Sequence, residues 1–253
     1  MIRQGTLASG DSVNVFTKAR RKTKGPCYLD LCAKHLRVLR HPNILRFIGC
    51  IPVESEVHLV TELAAPLSTV DNCDANEICS GLYDIALALQ FLHDKAKVTH
   101  NNLSSKSLYV TKSGVWKLGN FEHASHFLEA NEEQLKFVHK EDLIVPPEEK
   151  GGSKVKLPHK NENAHCRDVY AFGLLLQHYS EQLRFATLLT KAKVVDLIDD
   201  LLRLDYENRP TMTEVLTMPL LHSTYIEIVN FLQSVTLKSN KQKEDFFRIF
   251  YKV

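Results

Sequence analysis

Residues 74–122 read DANEICSGLYDIALALQFLHDKAKVTHNNLSSKSLYVTKSGVWKLGNFE, and this stretch decides the fold. Ile78, Leu82, Ile85, Leu89 and Leu92 recur at three- and four-residue spacing, which gives one apolar face and predicts a buried helix. Two short strand-like runs follow, Ser107–Val110 and Val115–Leu118, with Lys112-Ser113-Gly114 as the turn of a hairpin. Working towards the N-terminus, residues 1–63 hold further strand-like runs, Val13–Phe16, Ile44–Ile48 and Val57–Leu63. Between the first two, Leu29, Leu31, Leu36 and Leu39 mark one helix that stops at Arg40-His41-Pro42-Asn43. Working towards the C-terminus, helical patterns return at Val169–Tyr179 and Val194–Leu204, and Val229–Phe250 is an amphipathic stretch suited to a helical neighbour or to the domain's own surface. The order predicts an α+β chain, a β-rich lobe followed by a helical one.

With 253 residues, 44% of them hydrophobic, the chain can fill a large core. A net charge of +2 gives no global case for nucleic acid. The basic run Lys18–Lys24 reads as a solvated turn before an anionic-surface patch. The six cysteines form no CxxC pair and sit near no His cluster at metal spacing, so reduced thiols are expected and no metal is assigned. No signal-peptide core and no transmembrane run of 18 apolar residues occurs, and an intracellular protein is expected.

Several landmarks then fall in the order and spacing of a protein kinase. Arg40-His41-Pro42-Asn43-Ile44-Leu45 resembles the segment after the small-lobe helix, and His58–Leu63 resembles the strand and hinge beyond it, with Thr61, Glu62 and Leu63 lining a vestigial cleft. His100-Asn101-Asn102-Leu103 stands where HRDL belongs, and Asn120-Phe121-Glu122 where DFG belongs. Pro146-Pro147-Glu148 resembles the APE motif, Asp168–Gly173 the start of the central large-lobe helix, and Asn208-Arg209-Pro210 a late NRP motif. The phrases THNN, WKLG, PPEE and VNFLQSVTLKS further resemble the SCY-like pseudokinases, a family that includes an ezrin-binding member.

The resemblance implies a bilobal kinase-like fold with its chemistry removed. Kinase catalysis is positioning plus charge stabilisation, so charged groups at fixed points are the mechanism itself. Phe16 stands at the phosphate-binding lysine, and Cys32, nine residues before His41, at its glutamate partner. Losing both halves of a buried ion pair can be neutral for stability, whereas losing one is costly. Asn102 replaces the general base, whose absence alone costs roughly 10²–10⁴ in rate. Ser107 and Asn120 replace the magnesium ligands with neutral groups, although hard Mg²⁺ wants a carboxylate. Neither Gly5 nor Gly10 belongs to a GxGxxG loop. What survives is structural: Glu148 and Arg209 as a buried pair, and Asp168 as an acceptor for the loop at His100.

No catalytic residue and no cofactor is therefore assigned, and ATP binding is not expected. The function implied is an inactive scaffold or adaptor in membrane trafficking or at the cell cortex. Its partners would be proteins, an ezrin-like cytoskeletal linker or trafficking machinery, with a cytoplasmic location peripheral to the Golgi or cortex. The rival is a weakly active or nucleotide-sensing kinase that uses Lys34 as a substitute cation and Asp84 or Glu122 as substitute acids. The expected divisions are a partial small lobe at 1–63, a large lobe at 64–222 and a helical extension at 223–253. A long exposed loop is expected between Glu148 and Asp168, carrying Gly151, Gly152, Lys154, Lys156 and Lys160.

Overall fold

The structure is a computed structural model describing residues 2–20, 27–53, 55–70, 73–129, 145–149, 163–183, 191–222 and 224–250. In chain order its elements are β1 (Ile2–Thr6), β2 (Ser12–Ala19), α1 (Tyr28–Val38), β3 (Phe47–Pro52), β4 (Glu56–Glu62), β5 (Ala65–Pro66), α2 (Ala75–Gln90), β6 (Val98–Thr99), β7 (Leu108–Val110), β8 (Trp116–Leu118), β9 (Ser125–His126), α3 (Cys166–His178), α4 (Ser180–Leu183), α5 (Lys191–Leu201), α6 (Met212–Leu216), α7 (Thr224–Gln233) and α8 (Asn240–Phe250). The loop expected between Glu148 and Asp168 lies mostly outside the described residues.

Four antiparallel strands form the first sheet in the order β1-β2-β4-β3. Alternation along β4 turns Val57 and Leu59 inward, where α1 packs with Cys32, Ala33 and Leu36 buried on one face. The strand expected at Ile44–Ile48 begins later, at Phe47. Ile44 and Leu45 instead bridge to the second part of the molecule: Leu45 N donates to Leu118 O at 2.9 Å, and Leu118 N to Asn43 O at 2.8 Å. Both side chains are buried, so this apolar run is used as a seam rather than as sheet. Strand β1 had no counterpart in the sequence reading, because its exposed IRQGT lacks an apolar alternation.

Helix α2 starts at a capping box in which Asp74 accepts the Asn76 and Glu77 amides while Glu77 accepts the Asp74 amide. Its apolar face runs under the β7–β8 hairpin, whose turn ends at Gly114 with φ +83°. Gly81 on this face has no room for a side chain, since a Cβ there would come within 2.0 Å of the Trp116 ring. One hydrophobic core runs from Leu36 and Leu59 through Ile44, Leu118 and Phe121 to Phe172 and Leu201. The amphipathic stretch at the C-terminus divides at Ser234 into α7 and α8, whose Phe231 and Phe246 rings stack 3.7 Å apart. Ile226 buries α7 against the main core.

Candidate functional site

Strand β2 points Asn14 and Phe16 to the same face, two residues apart, towards β7 and the residues after β8. The Phe16 ring meets Tyr109 edge-on at 5.9 Å, and with Leu45 and Ala64 the two form a small apolar cluster. Burial pushes the Tyr109 phenol above its usual range, so it stays a donor, and its hydroxyl donates to Asn120 Oδ1 at 2.9 Å. Gly119 makes room for that ring, because a Cβ there would lie 2.5 Å from it. Asn14, 3% exposed, donates through Nδ2 to the Ala64 carbonyl at 2.5 Å.

This line of side chains separates two cavities that share no residue. The outer one, about 950 Å³, includes Asn14, Leu63, Ala64, Thr69 and Lys112 in its wall. The inner one, about 290 Å³, is lined by Phe16, Lys18, Cys32, Leu59, Asn120 and Glu122. The fold thus brings Phe16, Cys32 and Asn120 around one space. Burial, with Glu122 adding, pushes the Cys32 thiol up to about 12, so it carries no charge near neutrality. Of the cleft residues expected from the sequence, Leu63 faces the outer cavity. Thr61 is fully buried, and Glu62 turns away to Lys117 at 3.2 Å and to the Arg46 amide at 2.8 Å.

The loop after β6 is held from below. Asp168 accepts the His100 amide at 2.7 Å and the Asn101 amide at 2.9 Å, and lies 2.9 Å from His93 Nε2. Burial alone would raise this carboxyl, but the hydrogen bond and charge of His93, with His100, outweigh it and hold Asp168 below the usual range. The His100 ring reaches Gly119 O at 2.8 Å. Asn101 adopts φ +61°, which Asn tolerates better than most residues, and its amide donates to His123 O and Ser125 Oγ.

Asn102 donates to Glu122 Oε1 at 3.0 Å. Ser107 closes its own turn by donating to Ser104 O and accepting the Ser104 amide. Asn120, also at positive φ, accepts from Tyr109 and donates to Lys106 O. These three neutral side chains are satisfied by the protein itself. Among the described residues no group of three His, Cys, Asp or Glu side chains is placed to hold a metal ion.

The substitute charges considered from the sequence do not gather. Lys34 is exposed on α1, and among the described residues the cation that lines the inner cavity is Lys18, 4.3 Å above the Tyr28 ring. Asp84 is buried beneath the hairpin, accepting the Trp116 amide at 2.9 Å. Burial pushes its carboxyl up to about 7 against the hydrogen bonds from the Trp116 amide and the Asn43 side chain. Glu122 alone of the three faces the inner cavity, and it is engaged by Asn102.

Below the loop, Arg209 forks onto both Glu148 oxygens at 2.7 and 2.8 Å and also donates to Arg203 O and Cys166 O. A second buried pair, which the sequence reading missed, lies beside it: Arg167 bonds Glu149 through Nε at 2.9 Å and Nη2 at 2.5 Å, and reaches Asn101 O at 3.4 Å. Its signal was the adjacency of each partner to an assigned residue, Glu149 after Glu148 and Arg167 before Asp168.

The chain matches the family model described as protein tyrosine and serine/threonine kinase over residues 2–186. It is 36% identical over 249 residues to a mouse (Mus musculus) protein named for associating with the carboxyl-terminal domain of ezrin, covering 96% of this chain and 33% of that one. It is 26% identical over 260 residues to the "Probable inactive serine/threonine-protein kinase scy1" of Dictyostelium discoideum, covering 94% and 30%. Human (Homo sapiens) SCY1-like protein 2 is 22% identical over 200 residues, covering 66% and 21%. The chain spans about a third of the length of the first two relatives.

Proposed function

The chain belongs to the protein kinase family, and from that premise we propose that it is a non-catalytic scaffold whose nucleotide cleft is occupied by its own side chains. The observation that carries this reading is the barrier of Asn14, Phe16 and Tyr109 between hinge and inner cavity. A nucleotide must reach from the hinge, where its base binds, to the metal ligands at the cleft's depth. Here Asn14 takes the Ala64 carbonyl, Tyr109 takes Asn120, and an aromatic ring replaces the phosphate cation. The name of the Dictyostelium relative supports the same reading.

Titration with millimolar ATP, with and without Mg²⁺, followed by thermal shift, tests it. Ligand at its own dissociation constant stabilises by about 0.4 kcal/mol, so binding weaker than that leaves the melting temperature unmoved. No shift is the expected result. A Mg²⁺-dependent shift would overturn the reading in favour of nucleotide sensing.

The finer part of the proposal is a protein partner at the cell cortex or in membrane trafficking, an ezrin-like linker being the candidate suggested by the mouse relative's name. Titrating the chain into a labelled carboxyl-terminal ezrin domain should give saturable binding. A flat titration removes that partner and leaves the cleft argument intact.

A further inference from the structure

We propose that the outer edge of the small lobe, where β3 runs beside α1, is a docking face for an anionic lipid surface. Residues 1–63 hold ten Lys and Arg against five Asp and Glu, although the whole chain is nearly balanced at 32 against 30. Part of this excess is displayed along β3. The Arg37 and Arg40 guanidiniums lie over the Phe47 ring at 5.5 and 5.8 Å, and Arg40 also donates to Phe47 O at 3.1 Å. Arg20, a described member of the basic run noted in the sequence, reaches the other end of the strand: its amide donates to Ser55 O in the β3–β4 turn. Arg20 and Arg37 both act electrostatically on Cys50, in the middle of β3. Among the described residues, the acids on this face are Asp30, paired with Arg20 at 3.5 Å, and Glu56, 3.5 Å from His58.

Exposed aliphatic side chains lie along the same edge, on both faces of the sheet. Ile51, which alternation turns away from α1, is 56% exposed, Val53, just past β3, 47%, and Val38, the last residue of α1, between Arg37 and Arg40 in sequence, 71%. An edge that carries both cations and protruding aliphatics suits a bilayer, where the headgroups attract the charge and the aliphatic groups leave water. A strand-shaped peptide is a poorer occupant of this edge. The register of β3 shifts between Phe47 and Gly49, Pro52 offers no amide, and Arg40 covers the Phe47 carbonyl, all features that guard an edge strand against pairing.

Co-sedimentation of the full chain with phosphatidylcholine vesicles, with and without phosphatidylserine, tests the proposal. Binding should require phosphatidylserine and weaken with salt. The triple substitution Arg20→Glu, Arg37→Glu and Arg40→Glu should weaken it by about tenfold or more. Ile51→Ser with Val53→Ser should weaken it severalfold while leaving the salt dependence unchanged. A charge-matched control at exposed positions elsewhere, Lys95→Glu, Lys112→Glu and Lys241→Glu, should retain most of the binding. Unfolding midpoints taken alongside separate a lost surface from a lost fold. Binding that ignores phosphatidylserine, a triple variant no weaker than the control, or capture by a soluble acidic polymer without any vesicle binding would each overturn it.

Discussion

Replacing Arg209 with Ala is expected to lower stability by about 3–5 kcal/mol, the cost of leaving one member of a buried pair alone. The Arg209 side chain is 0% exposed and that of Glu148 6%. Arg209 also serves two backbone carbonyls and stacks 4.9 Å from the Tyr170 ring, so its removal strands acceptors in three segments at once. Against a typical total of about 5–15 kcal/mol, that loss is large enough to read in a urea melt. The double variant Arg209→Met with Glu148→Gln should lose less than the single one, because no unpartnered charge remains. A single variant that melts with the parent would show that the tie is not structural, and a double variant as weak as the single one would assign the loss to the stranded Arg203 and Cys166 carbonyls and not to the bare charge.

The elements that sequence made legible are those whose signal is local. Ile78, Leu82, Ile85, Leu89 and Leu92 share one face of α2 because helical geometry puts them there. Gly114 marks the hairpin because its φ of +83° is one that few side chains tolerate. The site divided along the same line. Asp168, Glu148 and Arg209 were readable because each sits in a recognisable phrase. The barrier was not: Phe16 was singled out only for the cation it lacks, Asn14 and Tyr109 carry no signal of their own, and the meeting of β2 with the distant β7 depends on how the two sheets pack and on the missing Cβ of Gly119. Ile44 misled for a related reason: an apolar, β-branched residue suits a strand and an inter-lobe seam equally well, and periodicity cannot separate them.

Restoring the acids one by one is expected to give no phosphoryl transfer above a heat-killed control, for Asn102→Asp, for Asn120→Asp and for the two together. The geometry supplies a reason at each position. The Asn102 amide donates to Glu122 Oε1 at 3.0 Å, so an aspartate there would set two carboxylates face to face. Such a pair resists losing both protons, which raises the apparent pKa of the site and destabilises the fold as pH rises above the ordinary carboxylate range near 4. At Asn120 a carboxylate would accept the Tyr109 hydroxyl at least as strongly as the amide does, which holds the barrier closed. Neither change supplies a cation at Phe16 or frees the Ala64 carbonyl from Asn14. Because groups that act as a unit are strongly non-additive, a partial set should deliver almost none of the rate. Radiolabelled ATP and a general protein substrate decide the matter. Transfer by the unmodified chain that Asn102→Ala abolishes would mean that this cleft opens and works, and the scaffold reading would give way to an unconventional enzyme.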